Sequence, residues 1–323
     1  MISALTGKPG EAERWAEAAE GAAAVASLPD GSASIQPWLA LMRALMCRDG
    51  AEQMLADAEL AAGTMAAGSF WWNSVTLYLG MAYLMAGDTG RADVLFEDVA
   101  SGDHPGGPAV GVCVALAQRS LLAIARGDWE AAERHLSQAR SLARESNLAD
   151  YPPITIVHAV AARIALHEAD RPRALAELTR AQRLRPALTY AVPHLAVQAR
   201  IELARCYLAL SDITAARILL REATEVLTRR PGLGIFAGQA ADLRVELSYA
   251  RSSFALGVTA LTAAELRLLP MLPTHLSFRE IAEEMFLSRH TVKSEAMSLY
   301  RKLGASSRNQ AVTRSRELGL LDG

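Results

Sequence analysis

The sequence predicts an all-α protein in two parts, an array of repeated helix pairs over residues 1–256 followed by a small four-helix domain over 257–323. Three observations predict it. Alanine-rich windows with helical spacing fill the chain from Glu11 to about Leu256, and no run of alternating Val, Ile, Thr and aromatic residues competes as a strand. Short helix-breaking turns recur at Asp49, Asp88, Asp128, Asp170 and Asp212, a nearly constant step along the chain. After Gly257 the texture changes to short, strongly capped helices and concentrated positive charge.

Within the array each unit reads as a helix, a tight turn at the aspartate and a second helix. Four residues before the aspartates stand Leu45, Leu84, Ile124, Leu166 and Leu208. Eight before the last four stand small residues, Gly80, Ser120, Ala162 and Ala204, which let helices approach closely. Four, eight and eleven residues after those four aspartates come Ala92, Phe96 and Val99; Ala132, Leu136 and Ala139; Ala174, Leu178 and Ala181; and Ala216, Leu220 and Ala223. Such steps mark one buried helical face. Breakers at Pro105 to Pro108, Pro152-Pro153, Pro186 and Pro231-Gly232 separate the units. Stacked units make a curved solenoid, and its concave face is the expected seat of an unknown effector or protein partner. The array resembles tetratricopeptide-type repeats, with a period of about 40 residues in place of the usual 34. Thr6 to Trp15 reads like the turn and second helix of a further unit, so the array opens in mid-repeat. An apolar face is expected there, covered by another subunit or left by truncation of a longer ancestral chain.

Composition narrows the class. With 51% hydrophobic and 21% charged residues and a net charge of −2 over 323 residues, the chain reads as an ordinary globular protein rather than a disordered tail or a bulk nucleic-acid condenser. Cys47, Cys113 and Cys206 lie far apart in apolar helical stretches, as reduced packing thiols do. The longest run without Asp, Glu, Lys or Arg, Leu60 to Gly87, has the length of a membrane span. Gly63, Thr64, Gly68, Ser69 and Asn73 break it into a helix end, a turn and a helix start, so no membrane span is expected. Met1 to Gly10 lacks an apolar core before a small-residue cleavage site, which places the protein in the cytoplasm. No H-E-x-x-H, paired-cysteine or G-x-S-x-G spacing occurs, so no metal, cofactor or catalytic residue is expected and the chain reads as non-enzymatic. Trp38 and Phe70-Trp71-Trp72 fit either repeat cores, the commoner use, or an effector pocket; His194, Tyr190 and Arg200 pose the same choice.

The C-terminal stretch carries the informative signal. From Thr259 to Gly323 there are nine Lys or Arg and seven Asp or Glu, a net of +2 against −4 for the remainder, and Phe286 to Arg316 holds seven basic residues and one acidic. That is a local electrostatic footprint for phosphate. Thr262 with Glu265, Ser277 with Glu280 and Ser307 with Gln310 have the spacing of reciprocal capping boxes, and Ser288 is a fourth N-cap. They predict helices from Ala263 to about Leu269, where Pro270 intervenes; from Phe278 to Phe286; from Arg289 to Leu303, with Gly304 as C-terminal cap; and from Arg308 to Leu318. The short junction Phe286-Leu287-Ser288 is helix-turn-helix geometry. At 100° per residue Val292, Ala296, Leu299 and Leu303 fall within about 60° and must face the core. His290, Ser294, Met297 and Arg301, flanked by Lys293 and Thr291, then face outward, as a recognition helix does in the major groove. Lys293 can donate to guanine or to phosphate, Ser294 can donate or accept, and Met297 can touch a thymine methyl. Glu295, on the helix flank, is expected to pair locally near Lys302.

The runs Leu261-Thr262-Ala263-Ala264-Glu265, Ser277-Phe278-Arg279-Glu280-Ile281-Ala282-Glu283, Leu287-Ser288-Arg289-His290-Thr291-Val292-Lys293, Arg301-Lys302-Leu303-Gly304-Ala305-Ser306-Ser307-Arg308 and Ala311-Val312 together resemble the LuxR-type DNA-binding domain. The pairing with an upstream helical repeat resembles the C-terminal part of large maltose-regulator-like activators of that family. Their ATPase module is not carried over, because no G-x-x-x-x-G-K-[ST] occurs and Gly7-Lys8 lacks the upstream glycine. The resemblance implies a transcription regulator whose DNA-binding set is Ser288, Arg289, His290, Thr291, Lys293, Ser294, Met297, Arg301 and Lys302. It places Lys293, Ser294 and Met297 near base edges, and Thr291 and Lys302 on the DNA backbone. It also implies that the fourth helix, through Ala311, Val312, Ser315 and Leu318, joins two chains as a homodimer on an inverted repeat of double-stranded DNA, with RNA polymerase a further partner. Glu295 stands where many members have histidine. That departure motivates the alternative of a non-enzymatic interaction scaffold with a degenerate DNA-binding domain.

Overall fold

The computed structural model describes residues 1–21, 34–66, 68–101, 107–255, 261–285 and 287–321; among these every regular element is helical and no strand occurs. Two compact units result, Met1–Cys206 with Ala215–Ala241, and Tyr207–Thr214 with Asp242–Gly323. The expected boundary at 256/257, the breaker Pro105 and the junction residue Phe286 lie outside the described residues. The helices before that boundary are α1 (Ile2–Leu5), α2 (Pro9–Glu20), α3 (Gln36–Met46), α4 (Gly50–Thr64), α5 (Trp72–Met85), α6 (Thr89–Ser101), α7 (Ala109–Ala125), α8 (Trp129–Glu145), α9 (Thr155–His167), α10 (Arg171–Leu184), α11 (Pro193–Ala209), α12 (Ile213–Arg229) and α13 (Ile235–Ala255).

The recurring turn has a single geometry. The residue before the aspartate takes left-handed backbone, with φ 88° at Gly87, 77° at Gly127, 60° at Ala169 and 64° at Ser211. The N–H of the aspartate then donates to the carbonyl five residues back, at 2.9 Å from Asp88, Asp128 and Asp212 and 2.8 Å from Asp170. This closes the first helix by satisfying a carbonyl that has no partner within it. The carboxylates of Asp88, Asp128 and Asp170 open the second helix by accepting from the N–H groups of Arg91, Ala131 and Arg173 at 3.0, 2.9 and 3.0 Å. One residue therefore ends a helix and starts the next. Asp49 departs from the pattern: Cys47 is the left-handed residue there, and the Asp49 side chain makes no cap bond.

The first helices α3, α5, α7 and α9 stack in a row, each packing also on its neighbours among α4, α6, α8 and α10. The faces read from the spacing are the buried ones, Ala92, Phe96 and Val99 on α6 and their counterparts on α8, α10 and α12 all being buried. A Cβ added at Gly80 would lie 2.7 Å from the Phe96 ring, and the Ser120 hydroxyl donates to the Ala132 carbonyl at 2.8 Å. Small residues at this position let the second helix seat.

Three contacts bring distant parts of this unit together. The Ala51 N–H donates to the Gly232 carbonyl at 2.8 Å. A Cβ at Gly234 would fall 1.9 Å from the Met85 carbonyl oxygen. Glu13 on α2 pairs with Arg48 at 2.7 Å and also with Arg230. Ala4, Ala12 and Ala16 are buried within the chain, so the small-residue face of α1 and α2 is covered without a second subunit, while Trp15 on the other side is 68% exposed. Burial pushes the thiols of Cys47, Cys113 and Cys206 up to about 12, where thiolate chemistry at neutral pH is negligible. Among the described residues no helix is long and apolar enough to cross a membrane.

Candidate nucleic-acid interface

Four helices follow, α14 (Ala263–Leu268), α15 (Phe278–Glu284), α16 (Arg289–Leu303) and α17 (Arg308–Glu317). Residues Leu269–Met271 tighten into a 3-10 turn, because Pro270 has no N–H to continue α14. Thr262 accepts from the Glu265 N–H at 3.2 Å while Glu265 accepts from the Thr262 N–H at 2.6 Å. Ser277 and Glu280 repeat this exchange at 3.4 and 2.7 Å. Ser288 caps α16 by accepting from the Thr291 N–H at 3.0 Å, and Gly304, at φ 67°, ends it. At α17 the expected box is shifted: Ser307 accepts from the Gln310 N–H at 3.3 Å, but the Gln310 amide oxygen reaches back to the N–H of Ser306 at 2.9 Å.

α16 packs against α14, α15 and α17. Val292, Ala296, Leu299 and Leu303 join Leu268, Ile281, Ala282 and Ala311 in the core, which fixes the rotation of the helix. Ser288, Arg289, His290, Lys293, Ser294, Met297 and Arg301 are consequently exposed. Thr291 is half-buried, its hydroxyl 2.7 Å from that of Ser288. Met297 leaves 56% of its surface in water between Lys293 and Arg301. The exposed face of α16 thus presents three cations and a thioether, and no exposed carboxylate.

Lys302 stands apart from this set. Its Nζ lies 2.6 Å from the Glu265 carboxylate, and both side chains are largely buried. Burial alone would push the Glu265 carboxyl up, but hydrogen bonds from Lys302, the Thr262 N–H and the Ser298 hydroxyl outweigh it and hold the group below the usual carboxylate range. Lys302 ties α16 to α14. Glu295 does not pair with it as expected: its Oε2 is buried without a hydrogen-bond partner, because Lys302 turns to Glu265.

Of the residues expected to join two chains, Ala311, Ser315 and Leu318 are buried in this domain, Ser315 donating to the Ala311 carbonyl at 2.7 Å. Only Val312 is half-exposed. α17 uses that stripe to complete the domain's own core. Sequence reasoning missed Arg308, whose guanidinium donates to the carbonyls of Leu272, Leu276, Met271 and Thr274 at 2.8, 2.6, 3.0 and 2.9 Å. It supplies the donors that the connection between α14 and α15 cannot find in a helix. No local pattern announces it, since its partners all lie before α15, two helices earlier in the chain. Tyr300 was missed too; it is buried in the core.

Residues 259–315 match the family described as bacterial regulatory proteins, LuxR family. The transcriptional regulatory protein YdfI of Bacillus subtilis (strain 168) is 37% identical over 76 residues, 24% of this chain and 36% of that protein. The chain thus matches about a third of the relative's length. Its C-terminal part carries a LuxR-family helix-turn-helix domain.

Proposed function

We propose that this protein is a sequence-specific DNA-binding transcription regulator in which α16 enters the major groove. The observation that carries this reading is the outward face of α16, where Arg289, Lys293 and Arg301 flank Ser294 and Met297 on a helix whose opposite face is locked into a core. The LuxR-family match and the likeness to a transcriptional regulatory protein support it. Lys293, Ser294 and Met297 are positioned to touch base edges, while Ser288, Arg289, His290, Thr291 and Arg301 approach the sugar-phosphate backbone. Lys302 acts as a positioning residue through Glu265.

The protein works in the cytoplasm as a homodimer on an inverted repeat, with Val312 as the apolar centre of the outer surface of α17 and RNA polymerase as a further partner. Residues 1–256 form the input domain and 257–323 the reading domain, and no step is enzymatic. Selection of the full chain against a randomised double-stranded pool at near-physiological salt tests this. Enrichment of an inverted repeat is expected. A folded sample that enriches no sequence contradicts the reading and favours an interaction scaffold.

A further inference from the structure

In the repeat unit a cleft of about 500 Å³ opens between α8, α9 and α10, and four arginines line it. Arg140 and Arg144 stand one turn apart on α8, Arg180 and Arg183 one turn apart on α10. Ala143, Ile154 and Val157 form an apolar part of the wall, His158 lies beside them, and the lining includes no Asp or Glu. One buried acid fixes two of the cations. Glu177 on α10, 1% exposed, pairs through one oxygen with Arg140 at 3.2 Å and Arg180 at 2.7 Å, while its other oxygen lies 2.7 Å from His158 Nδ1. Burial alone would push this carboxyl up, but the hydrogen bond from His158 and the neighbouring positive charges outweigh it and hold the group below the usual carboxylate range. Arg183 pairs with the exposed Asp150 at 2.6 Å. Arg144 makes no ion pair among the described residues; its guanidinium reaches only the Arg140 carbonyl at 3.4 Å and the Ser141 hydroxyl at 3.5 Å.

We propose that this cleft binds a small organic phosphate, a phosphate monoester carried on an apolar body. Four guanidinium groups stand against two paired carboxylates, Glu177 and Asp150, so two positive charges are left over. A phosphate monoester at neutral pH carries about that charge with the opposite sign. Each guanidinium has five N–H donors, and Glu177 occupies only one edge of Arg140 and Arg180, whose side chains keep 40% and 52% of their surface in water. Donors therefore remain on both helices, and three terminal phosphate oxygens can accept from both at once, where a carboxylate offers two. Like charges three or four residues apart on a helix repel, and α8 and α10 each carry such a pair; an anion between them relieves both.

The apolar wall asks for more than a head group. Ala143, Ile154 and Val157 give an apolar body a surface to cover, and the volume is that of a small-molecule pocket. A DNA backbone, by contrast, presents its phosphates in a row along a rod, which suits an extended surface better than a cleft of this size. A role for the cleft as the input of the regulator rests on the function proposed above; binding itself does not.

Titration of the full chain with 1-naphthyl phosphate tests the site without DNA, with 1-naphthol and inorganic phosphate as the body and the head alone. The ester is expected to bind about tenfold or more tighter than either, and tighter than a naphthalene carrying two adjacent carboxylates. Arg144→Gln and Arg183→Gln, both at exposed positions and outside the Glu177 cluster, should each weaken the ester by about three- to tenfold. Arg134→Gln removes the same charge from α8 at a residue that does not line the cleft, and should leave binding within about twofold. No saturable binding of the ester, an equal loss in Arg134→Gln, or a dicarboxylate that binds as tightly overturns the proposal. So does a scrambled DNA duplex that displaces the ester and itself binds more weakly to both cleft variants, which would give the cleft to the DNA backbone. DNA selection is read separately, so either claim can fail while the other stands.

Discussion

Glu265 illustrates how much one side chain settles in the small domain. Its carboxylate caps α14, accepts from Ser298 and neutralises Lys302 from the next-but-one helix. Breaking a buried pair from one side leaves an uncompensated charge, so Lys302→Met should destabilise the domain by about 3 kcal/mol. Where that variant remains folded, its ranking of DNA sequences should be unchanged, because Lys302 positions and does not read; competition binding against base-substituted sites checks both. The pH dependence follows from the lowered Glu265 carboxyl. The folded state holds this group ionised below its unfolded pKa of about 4.3, so its contribution is complete above that value and is lost as pH falls through the lower folded value. The protection of α14 and α16 against hydrogen exchange, taken relative to the intrinsic rate at each pH, should therefore fall on acidification below about pH 4.5, and less steeply in Glu265→Gln. The capping half of this arrangement was legible, since Thr262 and Glu265 stand three residues apart. The pairing half was not, because Lys302 comes from a different helix far along the chain and a nearer acid, Glu295, offered itself.

Among the helices, the periodic residues told the truth about faces. Ala92, Phe96 and Val99 were legible because a buried face repeats every three or four residues, and the aspartates because each closes one helix and caps another. Gly→Ala inside a helix ordinarily gains about 1 kcal/mol, but Gly80→Ala should instead cost about 1–3 kcal/mol, since its Cβ would strike Phe96; equilibrium denaturation gives the sign directly. At α16, Ser288→Ala should cost about 1 kcal/mol through loss of the bond from the Thr291 N–H, read as faster exchange in the first turn of the helix. α17 shows where patterning runs out. An apolar stripe at Ala311, Ser315 and Leu318 is visible in sequence, but whether it meets a second chain or its own α16 depends on how much of the core the other helices leave unfilled. Here α17 fills it.

Across the chain, what sequence reveals depends on how far apart the partners lie. The helix-turn-helix stood out because its caps, junction and outward face are local, and the LuxR-family match over 259–315 falls on the same stretch. Contacts such as Gln118 with Gln198, reciprocally bonded at 2.7 Å, or Gly234 against Met85, join distant parts of the chain and leave no periodic trace. The function proposed for this chain at DNA rests on discrimination rather than on charge, because cations alone give sequence-independent affinity that fades with salt. The most direct measurement is the ratio of affinities of the full chain for its selected site and for a scrambled duplex, at near-physiological salt, with and without Lys293→Ala. A ratio of roughly 10³ or more, reduced in the variant by the equivalent of about 1–3 kcal/mol, is the result expected of a sequence reader. A ratio near one, with affinity collapsing uniformly as salt rises, would contradict it.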